Sequence, residues 1–257
     1  MVRPKKRLGQ HFLTDPSIAE RIVSALDAGP ENVVVEIGPG KGILTQFLIE
    51  KNIQLVLVEI DPEAVEFLIR KWPGLSENLI QGDILKLSWD NFPPGGIKII
   101  GNFPYNISSQ IFFRILENRN TIDTVVCMVQ KEVATRLASP PGNRDYGILS
   151  VLLQAFFDVT YLFSVKPGSF FPPPGVQSGV IRLTRNETTH LGCDEKLFFE
   201  VVRQSFNQRR KTIRNSLKSK LLNLDPGNSL LTMRPEQLGF SEFIELTNMI
   251  QAAGNSG

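Results

Sequence analysis

Val33-Val34-Val35-Glu36-Ile37-Gly38-Pro39-Gly40-Lys41-Gly42 is the stretch that decides the fold. Its first five residues form a short apolar run set off by the Gly29-Pro30 break, as a strand buried on both faces would be. The next five are a glycine-rich turn, after which Ile43, Leu44, Phe47 and Leu48 recur at helical spacing. Strand, tight turn and helix in that order predict the opening unit of a doubly wound α/β sheet.

The alternation continues outward in both directions. Upstream, Asp15-Pro16 reads as an N-cap followed by proline at the first helical position, with Ile18, Ile22, Val23 and Leu26 as the apolar face. Downstream, Leu55–Ile60 reads as a second strand, and Asp61-Pro62 caps a helix ending near Trp72-Pro73. Strands follow at 78–81, 97–100 and 124–129, with helices at 107–117, 130–138 and 147–157. Strand signals recur at 158–165 and 178–184, on either side of the proline-rich loop Pro167 to Gly175. The expectation is a mostly parallel sheet covered by helices on both faces. From about residue 187 only helical periodicity remains, with breaks at Asp225-Pro226-Gly227 and near Gly239. This predicts an α/β domain over 1–186 and a small all-α domain over 187–257.

Composition excludes several classes. No apolar run approaches the roughly 20 residues of a membrane-spanning helix, and the basic Met1–Arg7 leads into Leu8-Gly9-Gln10-His11, not an apolar signal segment. Cys127 and Cys193 form no CxxC, and with His11 and His190 they give no metal-ligand spacing. A reduced cytoplasmic protein without a metal is expected. Charge is unevenly placed: residues 201–224 hold seven Lys/Arg and no acidic residue, leaving an acidic excess elsewhere. Arg209, Arg210, Lys211 and Arg214 within it are candidates for polyanion contacts, the alternative being a solvated helix face.

A doubly wound sheet binds ligands beyond the carboxyl ends of its strands. Gly38, Gly40 and Gly42 sit there after the first strand, and Glu59 near the end of the second is placed to accept both hydroxyls of a ribose. Asp83, after the third, is placed to accept from an adenine amine. The spacing is GxGxG; residue 43 is isoleucine, so the third glycine of a dinucleotide site is absent. That favours S-adenosylmethionine over NAD. Directly after the fourth strand comes Asn102-Phe103-Pro104-Tyr105. An exocyclic adenine amine is a poor nucleophile because its lone pair is delocalised into the ring. The Asn102 side-chain oxygen and the carbonyl of Phe103 or Pro104 would accept its two hydrogens as the nitrogen becomes tetrahedral. Pro104 stiffens the loop, and Tyr105 offers a π-face to an unstacked base. Asn-x-Pro also occurs in purely structural turns. Phe170 and Phe171, ahead of Pro172-Pro173-Pro174, are candidates for the other face of that base, with one of the two expected in the core.

Gln10-His11-Phe12-Leu13, Glu36 to Gly42, Glu59, Asp83, Asn102 to Tyr105, Phe170 to Ser178 (FFPPPGVQS) and Phe206 to Leu217 (FNQRRKTIRNSL) occur in order across nearly the whole chain. In this combination the sequence resembles the ribosomal RNA adenine N6,N6-dimethyltransferases, most closely their bacterial small-subunit branch. The resemblance implies a Rossmann-like class I methyltransferase domain with a small helical C-terminal domain. It implies dimethylation of two adjacent adenosines in the loop of the 3′-terminal helix of small-subunit rRNA, within a pre-30S particle; nothing in the sequence demands more than a monomer. By matching motifs, His11, Leu13, Gly38, Gly40, Glu59, Asp83 and Asn102 would hold S-adenosylmethionine, and Tyr105 and Phe170 would sandwich the target base. Phe103 stands where the family usually has leucine or isoleucine, and His11 where it often has asparagine; from the residues alone His11 is equally a loop residue with no role. The related erythromycin-resistance class, acting on large-subunit rRNA, a nicotinamide oxidoreductase and a non-catalytic RNA-binding factor are the rival readings.

Overall fold

The structure, a computed structural model, describes residues 2–89, 92, 96–221 and 227–254. The break expected at Asp225-Pro226 lies outside the described residues. In chain order the regular elements are β1 (Phe12–Leu13), α1 (Pro16–Ser24), β2 (Val33–Ile37), α2 (Thr45–Ile49), β3 (Gln54–Glu59), α3 (Pro62–Lys71), β4 (Leu79–Gln81), β5 (Ile97–Asn102), α4 (Ser108–Glu117), β6 (Ile122–Gln130), α5 (Lys131–Ala138), α6 (Ile148–Gln154), β7 (Phe157–Val165), β8 (Phe170–Phe171), β9 (Ser178–Arg185), α7 (Glu195–Asn207), α8 (Ile213–Ser216) and α9 (Phe240–Gly254).

The helix starts follow from their caps. Asp15 accepts from the Ser17 amide ahead of α1, and Asp61 from the Glu63 amide ahead of α3. Each is followed by a proline whose missing N–H costs nothing at a helix start. The helix expected over 147–157 stops at Gln154 as α6, and Phe157 already belongs to β7.

The main sheet has the order β4-β3-β2-β5-β6-β9-β7. β2 pairs in parallel with β3 and β5, β3 with β4, and β5 with β6, whereas β9 runs antiparallel to β6. The chain builds outward from β2 through β3 to β4, then returns to lay β5 on the other side of β2. Strand order therefore reverses between β2 and β5, and the crevice for a ligand opens at their carboxyl ends. Register fixes what meets there: Ile37 is opposite Gly101, and Glu59 is opposite Gln81. Ile22, Leu26, Val34, Leu48, Leu57, Ile100 and Val126 form the buried core beneath. A second, two-stranded sheet was not anticipated: β1 pairs antiparallel with β8, Phe12 opposite Phe171 and Leu13 opposite Phe170, inside what the sequence presents as a proline-rich loop.

The chain divides into two compact units, 1–135 with 158–185 and 136–157 with 186–257. The units do not follow a single cut near residue 186. Residues 136–157 go with the helical unit because α6 packs on α7 and α9. Val151, Leu152, Phe198, Val201, Phe243 and Leu246 form that unit's buried interior.

Candidate active site

The site is built where β5 ends. A Cβ on Gly101 would lie 2.5 Å from the Ile37 carbonyl oxygen, so only glycine lets β5 and β2 come this close. The next residue, Asn102, projects from the crevice with its amide already oriented: Nδ2 donates to the His11 carbonyl at 2.8 Å, which leaves Oδ1 as the group able to accept. His11 is itself pinned, its Nδ1–H donating to the Pro172 carbonyl at 2.8 Å. Phe103 is fully buried beside Phe112, and its amide donates to the Met128 carbonyl. The residue type at 103 is thus a packing matter. The Pro104 carbonyl accepts from the Ile107 amide, while that of Phe103 has no partner among the described residues. Of the two carbonyls anticipated as acceptors, Phe103's is the one left open.

The Tyr105 hydroxyl lies 2.5 Å from Ser178 Oγ, and its ring stacks against His11 at 5.6 Å between centroids and 27° between planes. Burial raises the phenol pKa, so Tyr105 stays neutral. The hydrogen bond holds the ring in place, which leaves its face remote from His11 for a ligand. Phe170 does not share this position. It is 4 % exposed, lies in the core with Leu13, Val165 and Val180, and lines neither cavity at the strand ends, whereas Phe171 is 57 % exposed. Successive side chains of a strand point to opposite sides, so β8 buries one phenylalanine and presents the other. A base-stacking face on Phe170 does not fit this burial.

A cavity of about 710 Å³ of empty space runs along the strand ends, lined by His11, Gly38, Gly40, Glu59, Asp83, Asn102 and Tyr105 among others. Gly38 has φ +66°, and nothing lies within 4 Å of where its Cβ would be. The backbone is open there for a ligand to approach. Glu59 is buried, and its two oxygens accept from the amides of Gly40 and Asp61, both at 2.9 Å. Burial raises its pKa, the amide bonds opposing this. The carboxylate is held square to the cavity with lone pairs to spare for two hydroxyl donors. Asp83 Oδ1 caps a short helical turn by accepting from Leu85 N at 3.0 Å, which leaves Oδ2. Leu13 lines a smaller neighbouring cavity of about 350 Å³, together with Gly38, Lys41 and Asn102. An open backbone at Gly38 and paired acceptors for a ribose on Glu59 both fit a nucleoside-type methyl donor.

Two features were missed by the sequence reading. Glu36, placed by the sequence in a strand and in the family motif but given no role, is a buried carboxyl in the smaller cavity; it accepts from Thr45 Oγ1 at 2.7 Å, and burial pushes its pKa to about 8. Asp61, read only as a cap, also holds Lys5 Nζ at 2.6 Å and Gln10 Nε2 at 3.1 Å. That clamp ties the segment before His11 to the turn after Glu59. Gln10 in its motif was the one available signal.

In the helical unit, Arg209, Arg210 and Lys211 fall in the turn between α7 and α8, and Arg214 on α8. Arg210, Lys211 and Arg214 are exposed. Arg209 is partly engaged, donating to the Arg144 carbonyl and lying 4.0 Å from Glu236. Among the described residues no three His, Cys, Asp or Glu side chains are grouped to hold a metal, and no helix is long and apolar enough to cross a membrane.

Comparison with known proteins agrees with this geometry. Residues 1–230 match a family model described as ribosomal RNA adenine dimethylase. The "Ribosomal RNA small subunit methyltransferase A" of Phocaeicola vulgatus is 51 % identical over 256 residues, covering 98 % of this chain and 91 % of that protein. Among solved structures, a dimethyladenosine transferase from Plasmodium falciparum shares the fold with a TM-score of 0.80 at 24 % identity, over 95 % of this chain and 98 % of that one. The 23S rRNA methyltransferase ErmE aligns with a TM-score of 0.67 at 26 % identity, over 92 % and 99 %.

Proposed function

Since this chain belongs to the ribosomal RNA adenine dimethylase family, we propose that it dimethylates N6 of two adjacent adenosines in the loop of the 3′-terminal helix of small-subunit rRNA. The methyl donor is S-adenosylmethionine and the substrate a small-subunit assembly intermediate in the cytoplasm, met by a monomer. The observation that carries this reading is the oriented Asn102 amide, its nitrogen committed to His11 and its oxygen left to accept, beside the open Phe103 carbonyl.

Two acceptors at that spot meet the two hydrogens of an exocyclic amine. They become better partners as the nitrogen turns tetrahedral and gains positive charge, so they stabilise the transition state more than the ground state. S-adenosylmethionine, when bound, supplies an electrophilic methyl group on a sulfonium. The protein's part is to align the amine with that methyl, and alignment alone is worth several orders of magnitude in rate. No strong base is required, because the proton leaves a nitrogen that has already become cationic. Tyr105 receives the flipped base on its free face, and Pro104 keeps the loop from relaxing. Glu59 would hold the ribose of the donor and Asp83 its adenine; Gly38, at its methionine end, and Gly40 would give backbone access, with His11 and Leu13 as further contacts. Arg210, Lys211 and Arg214, with Arg209, attract the rRNA backbone.

The test is product analysis. Undermethylated small subunits are incubated with labelled S-adenosylmethionine, and the rRNA is digested to nucleosides. N6,N6-dimethyladenosine is expected with the wild-type protein. Label in any other nucleoside alone would refute the assignment.

A further inference from the structure

We propose that Phe171 and Lys41 form a second RNA subsite, a stacking platform for the nucleobase next to the target adenine, with the lysine facing its phosphate. This rests on the rRNA methyltransferase reading above. Phe171 is among the most exposed large apolar side chains described, at 57 %, in a chain whose other phenylalanines are all buried or half-buried. Leaving such a ring in water is unfavourable unless a partner covers it. Val176, at 47 %, sits on the same loop, so the outer rim is apolar over more than one residue.

The rim is also cationic. Lys41 Nζ lies 5.8 Å from the centre of the Phe171 ring and 5.0 Å from that of Phe12, and it makes no ion pair among the described residues. At the other end of the loop Lys131 Nζ binds the Gln177 side chain at 3.0 Å. An aromatic face with a lysine beside it suits a base with its phosphate: the ring stacks and the ammonium group neutralises. A purely apolar partner would have to desolvate that lysine.

The platform is continuous with the site. Phe12, opposite Phe171 in the β1–β8 pair, lines both cavities. Pro172, the next residue, holds His11, which stacks on Tyr105. A target base on Tyr105 therefore has its chain neighbour within reach of Phe171.

The experiment compares Phe171→Ala, Phe171→Leu and Phe171→Trp in methyl transfer to undermethylated small subunits. Phe171→Ala and Phe171→Leu should raise KM for the subunit about tenfold, the effect of losing one base–aromatic stack, with a smaller change in kcat and in donor Kd. Phe171→Trp, which keeps an aromatic face, should restore KM. Equal KM in all three, or rescue by leucine, would overturn the proposal while leaving the methyltransferase reading intact; no transfer by the wild-type protein would overturn both. As a second measurement, a benzophenone side chain at position 171 should cross-link to the nucleotide at or beside the methylated adenosine. The same probe at Ile49, also exposed, should not. Cross-linking of position 171 to ribosomal protein, or to rRNA remote from the target loop, would overturn it.

Discussion

Replacing Glu36 by glutamine should flatten the pH dependence of stability between pH 5.5 and 7.5. Glu36 is 1 % exposed, and burial, aided by the charge on Glu59, raises its pKa from an ordinary 4.5 to about 8 against the opposing Thr45 hydrogen bond. Between those values the folded protein keeps a proton that the unfolded chain has released. The group's stabilisation is therefore complete below about pH 4.5 and is lost as pH rises through about 8. The slope is about 1.4 kcal/mol per pH unit, so the wild type should lose about 2–3 kcal/mol from this one group across the interval. Glutamine keeps an acceptor for the Thr45 hydroxyl but cannot ionise. Its extra buried N–H costs about 1–3 kcal/mol equally at every pH, which is why the slope and not the absolute stability is diagnostic. Urea titrations of both proteins at pH 5.5, 6.5 and 7.5 measure it. Parallel stability curves for the two proteins would show that Glu36 changes protonation no differently on folding, and the burial argument would be wrong.

Other consequences follow from the same geometry. Phe170→Ala should destabilise the protein by about 3–5 kcal/mol, as large-to-small changes in a packed core do, whereas Phe171→Ala should cost under about 0.5 kcal/mol, typical of surface positions; denaturant midpoints separate the two. Asn102→Ala should lower kcat by at least about a hundredfold, the scale of losing one transition-state hydrogen bond, with rRNA binding nearly unchanged; equal loss of both would point to a structural role instead. Changing Arg210 and Lys211 to glutamine should reduce the slope of log affinity against log salt by about 1.4–1.8, two counterion-releasing contacts. An unaltered slope would make the cluster an ordinary solvated face.

Most of the sheet was legible because its determinants are local. A run such as Val33–Ile37 ends where glycines begin, and the cap residues Asp15 and Asp61 announce their helices within three positions. The strand-end residues were legible for the same reason, since strand order alone brings Gly38, Glu59 and Asn102 to one crevice. What escaped depends on partners distant in sequence. The β1–β8 pair is two residues long and joins segments at opposite ends of the α/β unit, so neither carries a strand pattern. Without it, nothing in the Phe170-Phe171 dipeptide says which ring is buried. The Lys5–Asp61–Gln10 clamp uses an aspartate already explained as a cap. The helical unit claims residues 136–157 through packing of α6, whose run ILSVLLQ is apolar on nearly every side and so does not say which neighbour it packs on.

The most direct test of the central claim is to offer labelled S-adenosylmethionine and the protein both subunits in parallel, undermethylated small and large, and to map the modified nucleotides by primer extension. Label is expected in the small subunit alone, at two adjacent adenosines in the loop of the 3′-terminal helix. Label confined to the large subunit, or none in either with the donor still bound, would contradict it.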